Sequence, residues 1–334
     1  MKTANTIHAR AVRWLWRERI PVGMITIIAG RPGAAKSLLA IHITADVSRQ
    51  ADVLISARED PEREVIRPRL EAAKANLDRV HVGSLRLPAD LDQLERTVVE
   101  KRIALVVIDP VAAHLGVGIS RFNDSVRQVS TPLTAIAERT GAAIVFVDHV
   151  TKHIAQNAHP LQAIGGSGSG LPAAARMAFI TGKDPADDER VIACCVKSVR
   201  ERPRALGFLL DSVSYVDGDG RHGTAGVLLP EEAEFEFDAR SLLVVDSDGK
   251  RGRPPTKRAM AAEWLAKHLF GADGHERPAS DVEEDARQTG GITTATLRRA
   301  SEDMGVLKRQ RDRVWWWTLP AELVEAMEGG GDEG

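Results

Sequence analysis

Residues 30–37 read GRPGAAKS, with glycines, a lysine and a serine at the spacing of a phosphate-binding loop. In such a loop, backbone N–H groups and a helix N-terminus face an anion. Gly30, Arg31, Pro32, Gly33, Ala34, Ala35, Lys36, Ser37 and Leu38 would form the cradle. Lys36 would contact the β- and γ-phosphates of ATP, and the Ser37 hydroxyl would face Mg²⁺. One position departs from the usual pattern, because Ala35 stands where a glycine normally precedes the lysine. A methyl group there crowds the loop and disfavours positive φ.

A second acidic group comes from ALVVIDP, residues 104–110, an apolar strand that ends in Asp109. A carboxylate at that point would hold the magnesium ion or a water bound to it. SARED, residues 56–60, closes an earlier strand with two carboxylates. Glu59 would orient the attacking water. Asp60 is the neighbouring alternative, whose structural role would be to cap the helix opening at Pro61. AAIVFVDH, residues 142–149, ends another strand in His149, which would sense the γ-phosphate or simply cap the strand.

These groups need a scaffold that brings strand ends together. Apolar, β-branched runs at 24–29, 53–56, 80–82, 103–108, 142–147, 177–181, 191–196 and 206–210 predict strands. Several lack polar alternation, as strands buried on both faces do. Helices are expected at 36–49, 61–75, 91–101 and 124–140. That alternation predicts an α/β class with a mostly parallel sheet.

A length of 334 residues favours two domains, and 43% apolar residues are enough for a packed core. The formal net charge of −2 excludes binding to nucleic acid through a global field, so DNA contacts must be local. Cys194 and Cys195 are adjacent and point to opposite faces of a strand, so they cannot staple distant segments or form a metal site. This usage fits a reducing cytoplasm. No apolar run is long enough for a membrane span.

The polar, Pro- and Gly-rich stretch 246–255 reads as a linker between residues 1–245 and a domain at 256–320, with an acidic tail at 321–334. The C-terminal domain reads as three helices followed by a β-hairpin. Ser280 with Glu283 would box the second helix, and Thr293 would cap the third. The order resembles a winged helix-turn-helix, which binds duplex DNA. Arg298 and Arg299 would then lie on the recognition helix, with Lys308, Arg309, Arg311 and Arg313 on the wing. Trp315 and Trp317 share a face and are expected to pack the small core. The competing role is protein docking through the acidic run 281–285.

From WLWRERIPVGMITIIAGRPGAAKS through SAREDPEREVIRPRLEAA, VVIDPVAAHLG, ERTGAAIVFVDHVTK, IGGSGSGLPAAARMAF and CCVKSVRERPRALGFLLD, the chain resembles the RepA-like branch of RecA-type ATPases of plasmids and phages. The resemblance covers residues 10–215. It implies a RecA-like P-loop core and a homohexameric ring with ATP between subunits. It further implies movement of single-stranded DNA or helicase loading, alongside other replication proteins. By position, Arg176 matches the arginine finger that reaches a neighbour's γ-phosphate, and Lys197 a basic residue at the same boundary, with Arg200 able to share that role. The stretch 151–170 would be the central-pore loop, with Lys152, His153 and His159 near DNA. A slowly hydrolysing, nucleotide-switched replication regulator and a recombination or repair ATPase are the competing functions.

Overall fold

A computed structural model describes residues 3–120, 124–151, 159–164, 170–185, 187–243, 257–290 and 292–329. The chain divides into two compact units. One comprises residues 1–185, 190–208 and 213–245; the other comprises 186–189, 209–212 and 246–334.

The first unit opens with a small hairpin, β1 (Trp14–Trp16) and β2 (Ile20–Pro21). Then come β3 (Ile25–Gly30), α1 (Lys36–Ser48), β4 (Asp52–Ala57), α2 (Arg67–Ala72), β5 (Val80–Gly83), α3 (Leu91–Glu100) and β6 (Ile103–Asp109). They are followed by α4 (Val111–His114), α5 (Arg127–Thr140), β7 (Ala143–His149), α6 (Leu171–Ala174), β8 (Met177–Asp184), β9 (Asp187–Lys197), β10 (Leu206–Val216) and β11 (His222–Pro230). The helix expected over 61–75 is split, with a π-helical turn at Glu62–Ile66 running into α2.

Nine strands form one sheet in the order β11-β10-β9-β8-β3-β7-β6-β4-β5. From β8 across to β5 the neighbours run parallel. The reason is visible in the side chains. All six residues of β3 are buried, and β6 and β7 are nearly as enclosed, so both faces of these strands need a covering layer. Helix α1 is itself buried along most of its length. Phe146, Ile27, Leu105 and Ile108 are among the largest fully buried side chains.

Parallel strands all point the same way, so their carboxyl ends share one edge. The registers align that edge closely. Gly30 lies beside His149 of β7 and Thr181 of β8, and Ala57 lies beside Asp109. Ligands of open α/β sheets bind beyond this edge.

The second unit contains α7 (Lys257–Phe270), β12 (Glu276–Pro278), α8 (Ala279–Gly290), α9 (Thr294–Asp303), β13 (Leu307–Arg311), β14 (Val314–Thr318) and α10 (Ala321–Gly329). Its three strands form an antiparallel sheet, β12-β14-β13. Leu265, Leu269, Val282, Ala286, Leu297 and Trp317 build its core. Thr293 Oγ1 accepts the Thr296 N–H and caps α9. Two expectations are corrected here. Ser280 lies inside α8, which begins at Ala279, and its hydroxyl donates to Asp281 rather than boxing with Glu283. Trp315 is 50% exposed whereas Trp317 is 3% exposed. The two do share a face, but only Trp317 lies in the apolar cluster built by the helices.

Candidate nucleotide site

The turn from β3 into α1 owes its path to three residues. Gly30 must be glycine, because a Cβ there would stand 2.3 Å from the Thr181 carbonyl oxygen. Gly33 has φ +76°, a conformation that suits glycine, with nothing within 4 Å of its missing side chain. Ala35 adopts φ 56°, ψ 25°, the left-handed region, immediately before α1. An alanine there costs about 1–2 kcal/mol relative to the right-handed form. β8 pins the turn from the side, since the Thr181 hydroxyl donates to the Ala34 carbonyl at 3.2 Å. Arg31 leaves the turn altogether, and its Nη2 donates to the Leu243 carbonyl.

Lys36 is buried, and its Nζ donates to the Arg31 carbonyl at 2.9 Å across the turn. Burial lowers its pKa, while Asp109, Asp148 and Glu59 push it back up. The amine therefore sits in a field of carboxylates inside the loop. Asp109 responds in the opposite sense. Burial raises its carboxyl to about 6, the Ser37 hydroxyl bonded to it and the Lys36 charge oppose that rise, and Asp60 and Glu59 add to it. Ser37 and Asp109, from different elements, are thus hydrogen-bonded neighbours.

Glu59 is exposed, two residues beyond the end of β4. Asp60 does not cap the following helix; it pairs with Arg69 at 2.6 Å. Asp60 is thereby committed to a structural pair, which leaves Glu59 as the carboxylate of the two that can face a ligand. His149 stands beside Gly30 at the end of β7. Its neighbour Asp148, fully buried and felt by Lys36, was missed from sequence, although the strand ends in Asp-His.

Beneath the edge lies a chain of buried hydrogen bonds. The Leu85 N–H donates to Ser56 Oγ at 2.9 Å, and Ser56 Oγ lies 2.8 Å from His114 Nε2. His114 Nδ1 lies 2.8 Å from the Pro110 carbonyl. A carbonyl can only accept, so Nδ1 carries the proton and Ser56 donates to Nε2. Burial lowers the His114 pKa and keeps the ring neutral. The chain ties the end of β4, which leads to Glu59, to the segment that follows Asp109.

The remaining sequence candidates lie elsewhere. Arg176 is exposed, and its N–H donates to the Ile25 carbonyl, at the opposite end of β3 from the loop. At about 3.3 Å per residue, five residues of β3 put the two roughly 16 Å apart. Lys197 lies near Arg176; its Nζ donates to the Pro172 carbonyl at 2.7 Å, and burial and the Arg176 charge lower its pKa. Arg200 pairs with Glu18 and lies over the Trp14 ring. His159 Nδ1 accepts the Leu161 N–H. Lys152 and His153 lie outside the described residues, as do the proposed linker residues 246–255.

In the second unit, Arg298 pairs with Glu283 at 2.8 Å, and Arg299 Nη1 lies 3.9 Å from Glu189. Arg311 pairs with Glu276 at 2.6 Å. Lys308 Nζ sits 5.1 Å from the Trp317 ring centroid. Arg309 and Arg313 have no ion pair among the described residues.

The donor set fits a nucleoside triphosphate with magnesium. A helix start offers unpaired N–H groups, Lys36 offers a cation, and a hydroxyl and a carboxylate offer the hard oxygens that magnesium prefers. Among the described residues there is no cluster of three or more His, Cys, Asp or Glu that would hold a metal by side chains alone. Nor is any helix there long and apolar enough to cross a membrane.

Residues 4–155 match the AAA domain family, AAA_25. Over 139 residues, 39% of this chain and 28% of the relative, the sequence is 30% identical to DNA repair protein RadA of Halalkalibacterium halodurans. RadA of Salmonella typhimurium is 31% identical over 133 residues, and RadA of Bacillus subtilis 26%. The chain thus spans little more than a quarter of these relatives, 28% of their length. Among solved structures, an isolated ATPase domain aligns with TM-score 0.45 at 14% identity, covering 58% of this chain and 82% of that one. With a phosphate loop at the carboxyl end of the central strand of a mostly parallel sheet, and with residues 4–155 matching the AAA domain, the chain has a RecA-like P-loop ATPase core.

Proposed function

We propose that this chain hydrolyses ATP and couples the hydrolysis to work on DNA, as a ring-forming motor of the replicative helicase or helicase-loader kind. The observation that carries the hydrolysis is the convergence of Lys36, Ser37 and Asp109 at one sheet edge, with Glu59 close enough to shift the others. Bound Mg²⁺-ATP would supply the phosphoanhydride to be cleaved. Lys36 would neutralise the phosphates, and Ser37 and Asp109 would hold the metal side. Glu59 would orient the attacking water, and His149, beside Gly30, would register loss of the γ-phosphate.

Arg176 supports the ring. It stands at the far end of β3 from its own loop, so its proposed role as an arginine finger requires a neighbouring copy's nucleotide. Lys197 would flank it there. DNA would pass the stretch 151–170, and the second unit would act as a winged helix on duplex DNA through Arg298, Arg299 and the β13–β14 hairpin. The domains we propose are an ATPase over 1–245, a linker over 246–255 and the winged module over 256–320.

A second reading is a recombination or repair ATPase, favoured by the likeness to proteins named DNA repair protein RadA. The test is ATP turnover with and without single-stranded DNA, together with mass in solution. A DNA-stimulated hexamer supports the motor, and filaments on DNA support the repair reading. Full turnover by Lys36→Ala would sink both.

A further inference from the structure

Between α8, α9 and the inner face of the β13–β14 hairpin runs a groove of about 510 Å³. Trp317 closes its inner end, and the half-exposed Trp315 stands at its mouth. The strand register explains the placement. Lys308 pairs across from Trp317 and Gln310 from Trp315, so these four side chains share the face turned towards the helices. The groove also holds Arg298, Arg313, Ser280 and Glu283. Three cations thus line it against one carboxylate, and that carboxylate is already paired with Arg298. Arg313 lies at the hairpin tip with φ +66°, beside Asp312 at φ +49°, positions where such a two-residue turn favours Asn and Gly.

We propose that this groove binds an unpaired nucleotide of single-stranded DNA, with its base stacked on Trp315 and its phosphate held by Lys308 and Arg313. The inference rests on the DNA-directed reading above and goes beyond its duplex contacts. A large, half-exposed aromatic ring is costly to leave in water, and a planar base covers it without any sequence requirement. The excess positive charge selects an anionic occupant over an apolar helix. Of the lining cations, Arg313 has no ion pair among the described residues and Lys308 has only a ring, so both are available to a phosphate.

The test uses the full chain without nucleotide. Affinity is measured by fluorescence anisotropy for an oligo-dT strand and for a duplex of equal length, alongside quenching of intrinsic tryptophan emission. Trp315→Ala is expected to weaken oligo-dT binding roughly 5- to 150-fold, while duplex affinity changes less than about twofold. Trp315→Phe should restore most of the single-strand affinity while removing the quenching. Arg313→Ala should weaken oligo-dT binding and flatten its salt dependence by about one phosphate contact.

Unchanged oligo-dT affinity and unchanged quenching in Trp315→Ala would overturn the proposal. So would equal losses for strand and duplex, or a groove that takes up a protein partner but no oligo-dT. Repeating the titration with Lys36→Ala separates the two readings. Trp315-dependent binding that persists there leaves the groove standing whatever becomes of ATP hydrolysis.

Discussion

Asp109 offers a direct measure of how the site is built. Its carboxyl is raised from the ordinary 3.8 to about 6, burial being the largest cause. A carboxylate raised in the folded state favours folding below its unfolded pKa, and that advantage is lost as pH climbs through the folded value. The interval from 3.8 to about 6, at 1.36 kcal/mol per pH unit, sets a ceiling of about 3 kcal/mol. Titration between pH 4.5 and 7.5 contains about 2 kcal/mol of it. Asp109→Asn keeps the shape and the acceptor for Ser37 but does not titrate. In nucleotide-free buffer with EDTA, the variant should gain about 2 kcal/mol on the parent across that window, whatever their offset at pH 4.5. Urea unfolding followed by circular dichroism reads this. The same substitution should remove magnesium-dependent ATP turnover. If the stability gap stays constant with pH, or narrows as pH rises, then Asp109 is not a destabilised carboxylate held for a ligand.

Other substitutions test neighbouring parts of the argument. Gly30→Ala forces a methyl group to 2.3 Å from the Thr181 oxygen and should destabilise by about 1–3 kcal/mol or more in a melting curve, because both partners are backbone. Ala35→Gly relieves the left-handed alanine but adds freedom to the unfolded chain, so stability should rise by no more than about 1 kcal/mol; a clear loss in chemical denaturation would contradict the assigned φ. Arg176→Ala should leave binding of a fluorescent ATP analogue intact while lowering turnover by about 10³-fold or more. Ser56→Ala strands the Leu85 N–H and His114 Nε2 and should cost about 1–3 kcal/mol by urea titration.

The loop and the β6 carboxylate were legible in the sequence because each is a local pattern, glycines and a lysine at fixed spacing or an apolar strand ending in an acid. The parallel order was legible from apolar runs without alternation. What escaped depends on packing between distant segments. Thr181 meets Ala34 across 147 positions, and Arg31 reaches Leu243 across 212. β11 hid in a stretch whose leading polar turn masked the strand that follows. Trp315 shows the limit of periodicity most plainly. Alternation correctly put it on the face of Trp317, but how far the helices extend over that face is not written in the strand itself.

The Leu85–Ser56–His114–Pro110 chain has one allowed direction, because it starts at an amide that can only give and ends at a carbonyl that can only take. His114 is therefore locked as a single tautomer. Its two ring nitrogens should show widely separated ¹⁵N resonances that hold still through neutral pH, making this imidazole a built-in spectroscopic gauge of whether the edge beneath the phosphate loop is intact.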